Sequence, residues 1–260
     1  MKAFAAVARA ALKSTLLPPL AVWCLGDFLL HGANRSLASR VAWLSRASTR
    51  HAKWIGLKIR VHGEVPRAGL IVANHVSYLD IVALSTVARC AFVAKKEVAT
   101  WPLFGLYARL GATIFVNRER RGAVADVAGE MRTLLDAGVP VVLFPEGTST
   151  DGSQVLPFRS SLFEPVVELA RPVTACAQRY SLDEGSVADE VAYWRDMTLA
   201  PHLLNLLAKS TVTLDLHFGP SLPRTGDRKQ LARELHAEVS AFIRSPVSPV
   251  IQPGNSDADQ

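Results

Sequence analysis

The chain is poor in cysteine. Its three, Cys24, Cys90 and Cys176, lie far apart in 260 residues and form no C-x-x-C pair. That pattern offers neither a disulfide framework nor a thiolate metal cage, and it fits a reducing, cytosolic setting. Seven histidines are scattered without an H-E-x-x-H spacing, so no metal and no cofactor are expected. No Gly-x-Ser-x-Gly is present, which removes the serine-hydrolase nucleophile elbow. No internal repeat is evident, and no nucleic-acid module accompanies the basic residues, so nucleic acid is not expected as a partner. A long hydrophobic run is also missing. The apolar stretch Leu16 to Leu30 is about 15 residues, short of the roughly 20 that span a bilayer upright.

What is present is an apolar chain with an uneven charge. Hydrophobic residues make up 49% and charged residues 20%, a balance that suits contact with lipid better than a multi-span membrane protein. Residues 1–60 hold ten Lys or Arg and one acid, Asp27, while the remaining 200 hold nineteen basic and twenty-two acidic residues. The positive excess therefore sits beside the apolar N-terminal stretch, where an anionic membrane surface would attract it. Residues 1–13 read as a short basic helix, the run to Leu30 as an apolar segment broken by Pro18-Pro19, and 36–56 as an amphipathic helix. Residues 1–56 are thus expected to form a membrane-associating region, lying in the interface rather than serving as a cleaved signal, with a single span left open.

From residue 57 the pattern alternates. Lys58–Val61, Gly69–Ala73, Ala91–Ala94, Ala112–Val116, Val139–Phe144, Val173–Ala177 and Val212–Phe218 read as strands, with helices near 78–88, 119–137, 160–170, 190–208 and 228–244. This predicts an α/β catalytic domain over 57–244, a mostly parallel sheet flanked by helices. Residues 245–260, with three prolines followed by Gly, Asn, Ser and Asp and no apolar periodicity, are expected to be a disordered tail.

Ligands of open α/β sheets gather beyond the carboxyl ends of strands. Three strand ends carry capable side chains: Asn74-His75, Asn117-Arg118 and Pro145-Glu146-Gly147. An imidazole changes charge near neutral pH, so His75 is a candidate general base toward a hydroxyl. Asp80, five residues on, can fold back onto the other ring nitrogen and fix its tautomer. Parallel pairing would bring the base, a cation and a carboxylate to one sheet edge.

The segment Asn74-His75-Val76-Ser77-Tyr78-Leu79-Asp80 resembles the first signature block of the glycerophosphate and lysophospholipid acyltransferase family. Gly111-Ala112-Thr113-Ile114-Phe115-Val116-Asn117-Arg118 is similar to the second block and Phe144-Pro145-Glu146-Gly147-Thr148 to the third, in the family's order. Arg171-Pro172-Val173-Thr174-Ala175 is similar to a weaker fourth. The resemblance implies transfer of a fatty acyl group from acyl-CoA or acyl carrier protein to the hydroxyl of a lysolipid, with His75 as base and Asp80 orienting it. It implies substrate-binding roles for Asn117, Arg118, Glu146, Gly147 and Thr148, Arg118 holding an acceptor phosphate. Backbone amides at Gly147 or at a helix start are both candidates for the oxyanion site.

One departure matters. Many members follow Glu-Gly-Thr with Arg, where this chain has Ser149; Arg159, in Pro157-Phe158-Arg159-Ser160, is the candidate replacement. The third block, with Trp194-Arg195-Asp196-Met197 and Pro201-His202-Leu203, also resembles members that acylate lyso-ornithine lipid. The expected acceptor is 1-acyl-sn-glycerol-3-phosphate, with lyso-ornithine lipid as the alternative. A thioester or lipid hydrolase and a non-catalytic lipid-binding protein are the remaining readings. The expected location is the cytoplasmic face of the inner membrane.

Overall fold

The computed structural model describes residues 2–117, 123–224 and 226–245. Arg118 and the tail from 246 onward lie outside the described residues. The strands are β1 Leu57–His62, β2 Leu70–Ala73, β3 Ala91–Lys95, β4 Ile114–Val116, β5 Val141–Leu143, β6 Pro172–Ser181, β7 Val212–Phe218 and β8 Leu222–Pro223. The helices are α1 Lys2–Leu30, α2 Leu37–Ile55, α3 Leu79–Ala88, α4 Phe104–Leu110, α5 Ala123–Asp136, α6 Glu164–Leu169, α7 Val187–Glu190, α8 Leu199–Ala208 and α9 Arg228–Arg244. The described strands form one sheet in the order β1-β7-β6-β2-β5-β3-β4, with β8 on β6. Strands β6, β2, β5, β3 and β4 are mutually parallel. β7 runs antiparallel to β6 and carries β1 parallel to itself. The expected α/β architecture with a mostly parallel sheet is therefore the one present.

The central strands are apolar on both faces because both faces are covered. In β2, Ile71 and Ala73 join Cys176, Leu214 and Leu216 in a core closed by α2, α3 and α8. Leu70 and Val72 point the other way, with Val141, Leu143 and Val173, into a core closed by α5, α6 and α9. This period of two, carried through β2, sets which residues face which helix layer.

The N-terminal helices are part of the first layer. α2 starts at a capping box, Ser36 accepting from the Ser39 amide while the Ser39 hydroxyl accepts from the Ser36 amide. It stops at Gly56, whose φ of 88° supplies the left-handed turn into β1. Its buried face, including Trp43, Leu44 and Ala47, packs into the core beside α3. α1 differs from expectation: it runs unbroken from Lys2 to Leu30 through Pro18 and Pro19. Prolines inside a helix cost hydrogen bonds, but α1 is held on either side of them. Before them, Arg9 donates to the Ala208 carbonyl at 2.5 Å, and Lys13 to the carbonyls of Ile55 (2.5 Å) and Lys209 (2.9 Å). After them, Cys24 and Phe28 are buried against Trp43.

The helix expected over 190–208 is two, α7 and α8, with residues 191–198 irregular between them. Tyr193 donates its amide to the Val76 carbonyl at 2.9 Å, and its carbonyl accepts from the Ser149 hydroxyl. Those backbone groups are committed to the loops after β2 and β5 and are not available to a helix. The expected run over 160–170 likewise opens as a 3-10 turn, Ser160–Phe163, before α6. α4 and β8, too short to show a period, were not expected.

Candidate active site

The sheet order places β2 beside β5, so the loops that leave them, carrying His75 and Glu146, are neighbours at the same edge. β3 lies between β5 and β4. Asn117 thus stands three strand spacings, about 14 Å, from the His75 strand end. The parallel pairing does gather the chosen strand ends on one edge, spread over the width of four strands. A groove of about 640 Å³ lined by Val41, Arg67, Arg89 and Pro140 opens at the opposite edge and touches none of these residues.

β2 ends in Asn74, which stitches the edge to β6. Its side chain donates to the Gln178 carbonyl (3.0 Å) and accepts from the Gln178 amide (2.7 Å), while the Gln178 side chain donates to the Asn74 carbonyl (2.8 Å). His75 follows. Its ring stacks on Phe144, with centroids 4.3 Å apart, and its side chain keeps 25% of its exposure. The Nδ1 atom lies 2.7 Å from Asp80 Oδ2. A carboxylate can only accept, so Nδ1 carries the hydrogen and Nε2 keeps the lone pair.

Asp80 sits in the first turn of α3 and has no exposed surface. Oδ2 also accepts from the amides of Val76 (2.8 Å) and Ser77 (3.1 Å), and Oδ1 accepts from the Tyr180 hydroxyl at 2.6 Å. These donors, with the positive end of the helix dipole, offset the cost of burying the carboxylate. They also commit the Val76 and Ser77 amides, which removes two donors at the helix start from the oxyanion site.

Glu146 is 2% exposed. Oε1 accepts from the His75 amide and Oε2 from the Leu156 amide, each at 2.7 Å. Burial pushes its carboxyl up to about 7, against the pull of those two amides. Both oxygens are engaged in fixing the His75 turn to the loop beyond β5. Each oxygen keeps lone-pair capacity for a further donor, but at 2% exposure little of it is open to an acceptor hydroxyl.

Gly147 takes φ 73° and donates to the Phe144 carbonyl at 3.1 Å, closing the turn. A Cβ there would stand 2.9 Å from Arg159 Nε; the absent side chain is what lets the guanidinium lie over the turn. Thr148 is exposed beside it. Ser149, where an arginine is usual, turns its hydroxyl to the Tyr193 carbonyl, so position 149 is spent on the 191–198 segment.

Two residues were missed in the sequence. Tyr180 reaches Asp80 across 100 positions with no local motif to announce it. Lys95 ends β3, beside Val116 in register, and is exposed between the Glu146 and Asn117 strand ends. Its signal was available: it closes a strand, the test already applied to the other three.

The geometry is that of an oriented, partly exposed imidazole at the mouth of an α/β edge. Residues 58–179 match a family model described as Acyltransferase. The chain is 37% identical over 210 residues to a lyso-ornithine lipid O-acyltransferase of Brucella abortus (strain 2308), spanning 75% of this chain and 79% of that protein. It is 33% identical over 192 residues to a 1-acyl-sn-glycerol-3-phosphate acyltransferase of Neisseria gonorrhoeae, spanning 73% and 75%. The crystal structure of the 1-acyl-sn-glycerophosphate (LPA) acyltransferase PlsC from Thermotoga maritima shares the fold, with a TM-score of 0.70 at 20% identity over 96% of this chain and 100% of that one. Sequence and fold agree: this chain belongs to the acyltransferase family that includes the lyso-ornithine lipid and 1-acyl-sn-glycerol-3-phosphate acyltransferases.

Proposed function

We propose that this protein transfers a fatty acyl group from a thioester, acyl-CoA or acyl carrier protein, to the free hydroxyl of a lysolipid at a membrane surface. The observation that carries the chemistry is the 2.7 Å contact between His75 Nδ1 and the buried Asp80. Nε2 takes the acceptor's proton as the hydroxyl oxygen attacks the thioester carbonyl. The imidazolium, held by Asp80, then protonates the departing thiolate as the tetrahedral intermediate collapses. Acyl oxygen–carbon bond formation balances carbon–sulfur cleavage, and no acyl-enzyme is required.

For the acceptor, lyso-ornithine lipid is favoured over 1-acyl-sn-glycerol-3-phosphate. Ser149 supplies no cation for a phosphate and is engaged with Tyr193, and the Brucella relative is the more identical of the two compared. The phosphate-bearing acceptor is the second reading, supported by the exposed Lys95 and Arg159 near the edge. Purified protein in detergent, given labelled acyl thioester and a panel of lysolipids, tests both: diacyl product from the ornithine acceptor alone supports the first, product from the phosphate acceptor alone overturns it. Free fatty acid as the sole product would mean hydrolysis, and no product a binding protein. His75→Ala is expected to abolish transfer, a loss of at least about 10³-fold; substantial residual transfer sinks the base assignment.

The membrane reading rests on α1. Phe4, Val7, Leu12, Leu16, Trp23 and Leu30, all exposed, form an uncharged face, while Arg9 and Lys13 turn inward to backbone carbonyls. No helix among the described residues is long and apolar enough to cross a membrane. We place α1 along the interface with that face in lipid, on the cytoplasmic side where acyl thioesters are made.

A further inference from the structure

Asp80 is held asymmetrically. Oδ2 accepts from His75 and two amides, whereas among the described residues Oδ1 has one donor, the Tyr180 hydroxyl at 2.6 Å. Tyr180 lies on β6, two residues beyond the Gln178 that Asn74 binds, and is 6% exposed. By the period of two it shares a face with Gln178 and with Cys176, the face against which α3 packs. The stitch between Asn74 and Gln178 sets the height of β6 against the His75 loop, and so the height of the phenol against Asp80.

We propose that Tyr180 is a positioning residue of the catalytic pair, extending it to Tyr180–Asp80–His75 and setting how strongly the carboxylate holds the imidazolium. This rests on the reading of His75 as the base. The hydroxyl draws negative charge onto Oδ1, away from the oxygen that faces His75. Without it a fully buried oxygen has no donor and the charge gathers on Oδ2. The imidazolium is then bound more tightly, neutral His75 appears only at higher pH, and its proton returns to the leaving thiolate more slowly.

Other titratable groups face Asp80. Burial first, and then the Asp80 charge, push the Tyr180 phenol and the Cys176 thiol up, so both stay neutral. Tyr78 on the same loop is pushed up by burial as well, as is Cys90 behind Cys176. Glu146, at about 7, is the one that titrates in the working range.

The test is Tyr180→Phe, which removes one oxygen and keeps the ring packing. Expected are an about tenfold fall in kcat with KM for both substrates unchanged, and an acid limb of kcat/KM displaced to higher pH by about one unit. The displacement persists in a Glu146→Gln background, which separates it from the Glu146 titration. In protein carrying ¹⁵N histidine, the His75 ring signals, assigned by their loss in His75→Ala, titrate at correspondingly higher pH in Tyr180→Phe. A wild-type acid limb and ring titration overturn the proposal, whatever happens to thermal stability. If His75→Ala is inactive and Tyr180→Phe behaves as wild type, only Tyr180 loses its role; if His75→Ala stays active, the base assignment falls and this proposal with it.

Discussion

At the scale of single residues, the site is built on buried carboxylates with different tasks. Among the described residues Asp80 has four donors on its two oxygens and Glu146 two, and burial pushes Glu146 up to about 7. The pH dependence has a definite sign. The ordinary value for this carboxyl is 4.5, so between about 4.5 and 7 the folded protein binds more protons than the unfolded chain, and Glu146 makes stability fall as pH rises through that window. Above about 7 the contribution is level. Glu146→Gln should flatten this slope in thermal melts run between pH 5 and 8. It should also cost about 1–3 kcal/mol, since an amide offers an oxygen to one backbone N–H and a donor to the other; an unchanged slope would remove Glu146 as its source. The pair His75 and Asp80 was legible in the sequence because both lie within one turn of each other. Tyr180 was not, because nothing short of the β2 to β6 pairing connects it to them.

Among the elements, α1 shows how a charged sequence can mislead. Ten basic residues in the first sixty suggested a cationic surface for anionic lipid. In the fold, Arg9 and Lys13 serve the C-terminal carbonyls of α8 and α2, Arg40 serves the end of α4, and Arg46 and Arg50 share the buried Asp27. Cations at helix C-termini are well placed against the dipole. Lys13→Met should therefore loosen the docking of α1, lowering stability by about 1–2 kcal/mol and speeding amide exchange in its first half; unchanged exchange would mean that apolar packing alone holds the helix. The same turning inward explains why α1 continues through Pro18-Pro19. Local propensity argues for a break there, but contacts on both sides fix the axis.

For the whole molecule, the membrane contact proposed from the exposed face of α1 differs in kind from the one that charge alone suggested. With many of the N-terminal cations engaged internally and an apolar face outward on a helix about 43 Å long, attachment should survive high salt, because burial of apolar area is not screened as surface charge is. Vesicle flotation at low and high salt measures this. Wild type should float in both, and Leu12→Glu with Trp23→Glu should stay at the bottom while remaining folded; release of wild type by salt would return the contact to electrostatics. The sequence by itself determined the α/β class, the parallel run of strands and the acyltransferase motifs, because these depend on periodicity and on residues adjacent in the chain. The tertiary structure alone decided which strand ends are neighbours, that Glu146 is bound by backbone amides, that Ser149 faces Tyr193, that Tyr180 completes the hydrogen bonding of Asp80, and which face of α1 stays uncovered. Each of these is a contact between segments far apart in the chain, set by sheet order and strand register, and no local pattern encodes either.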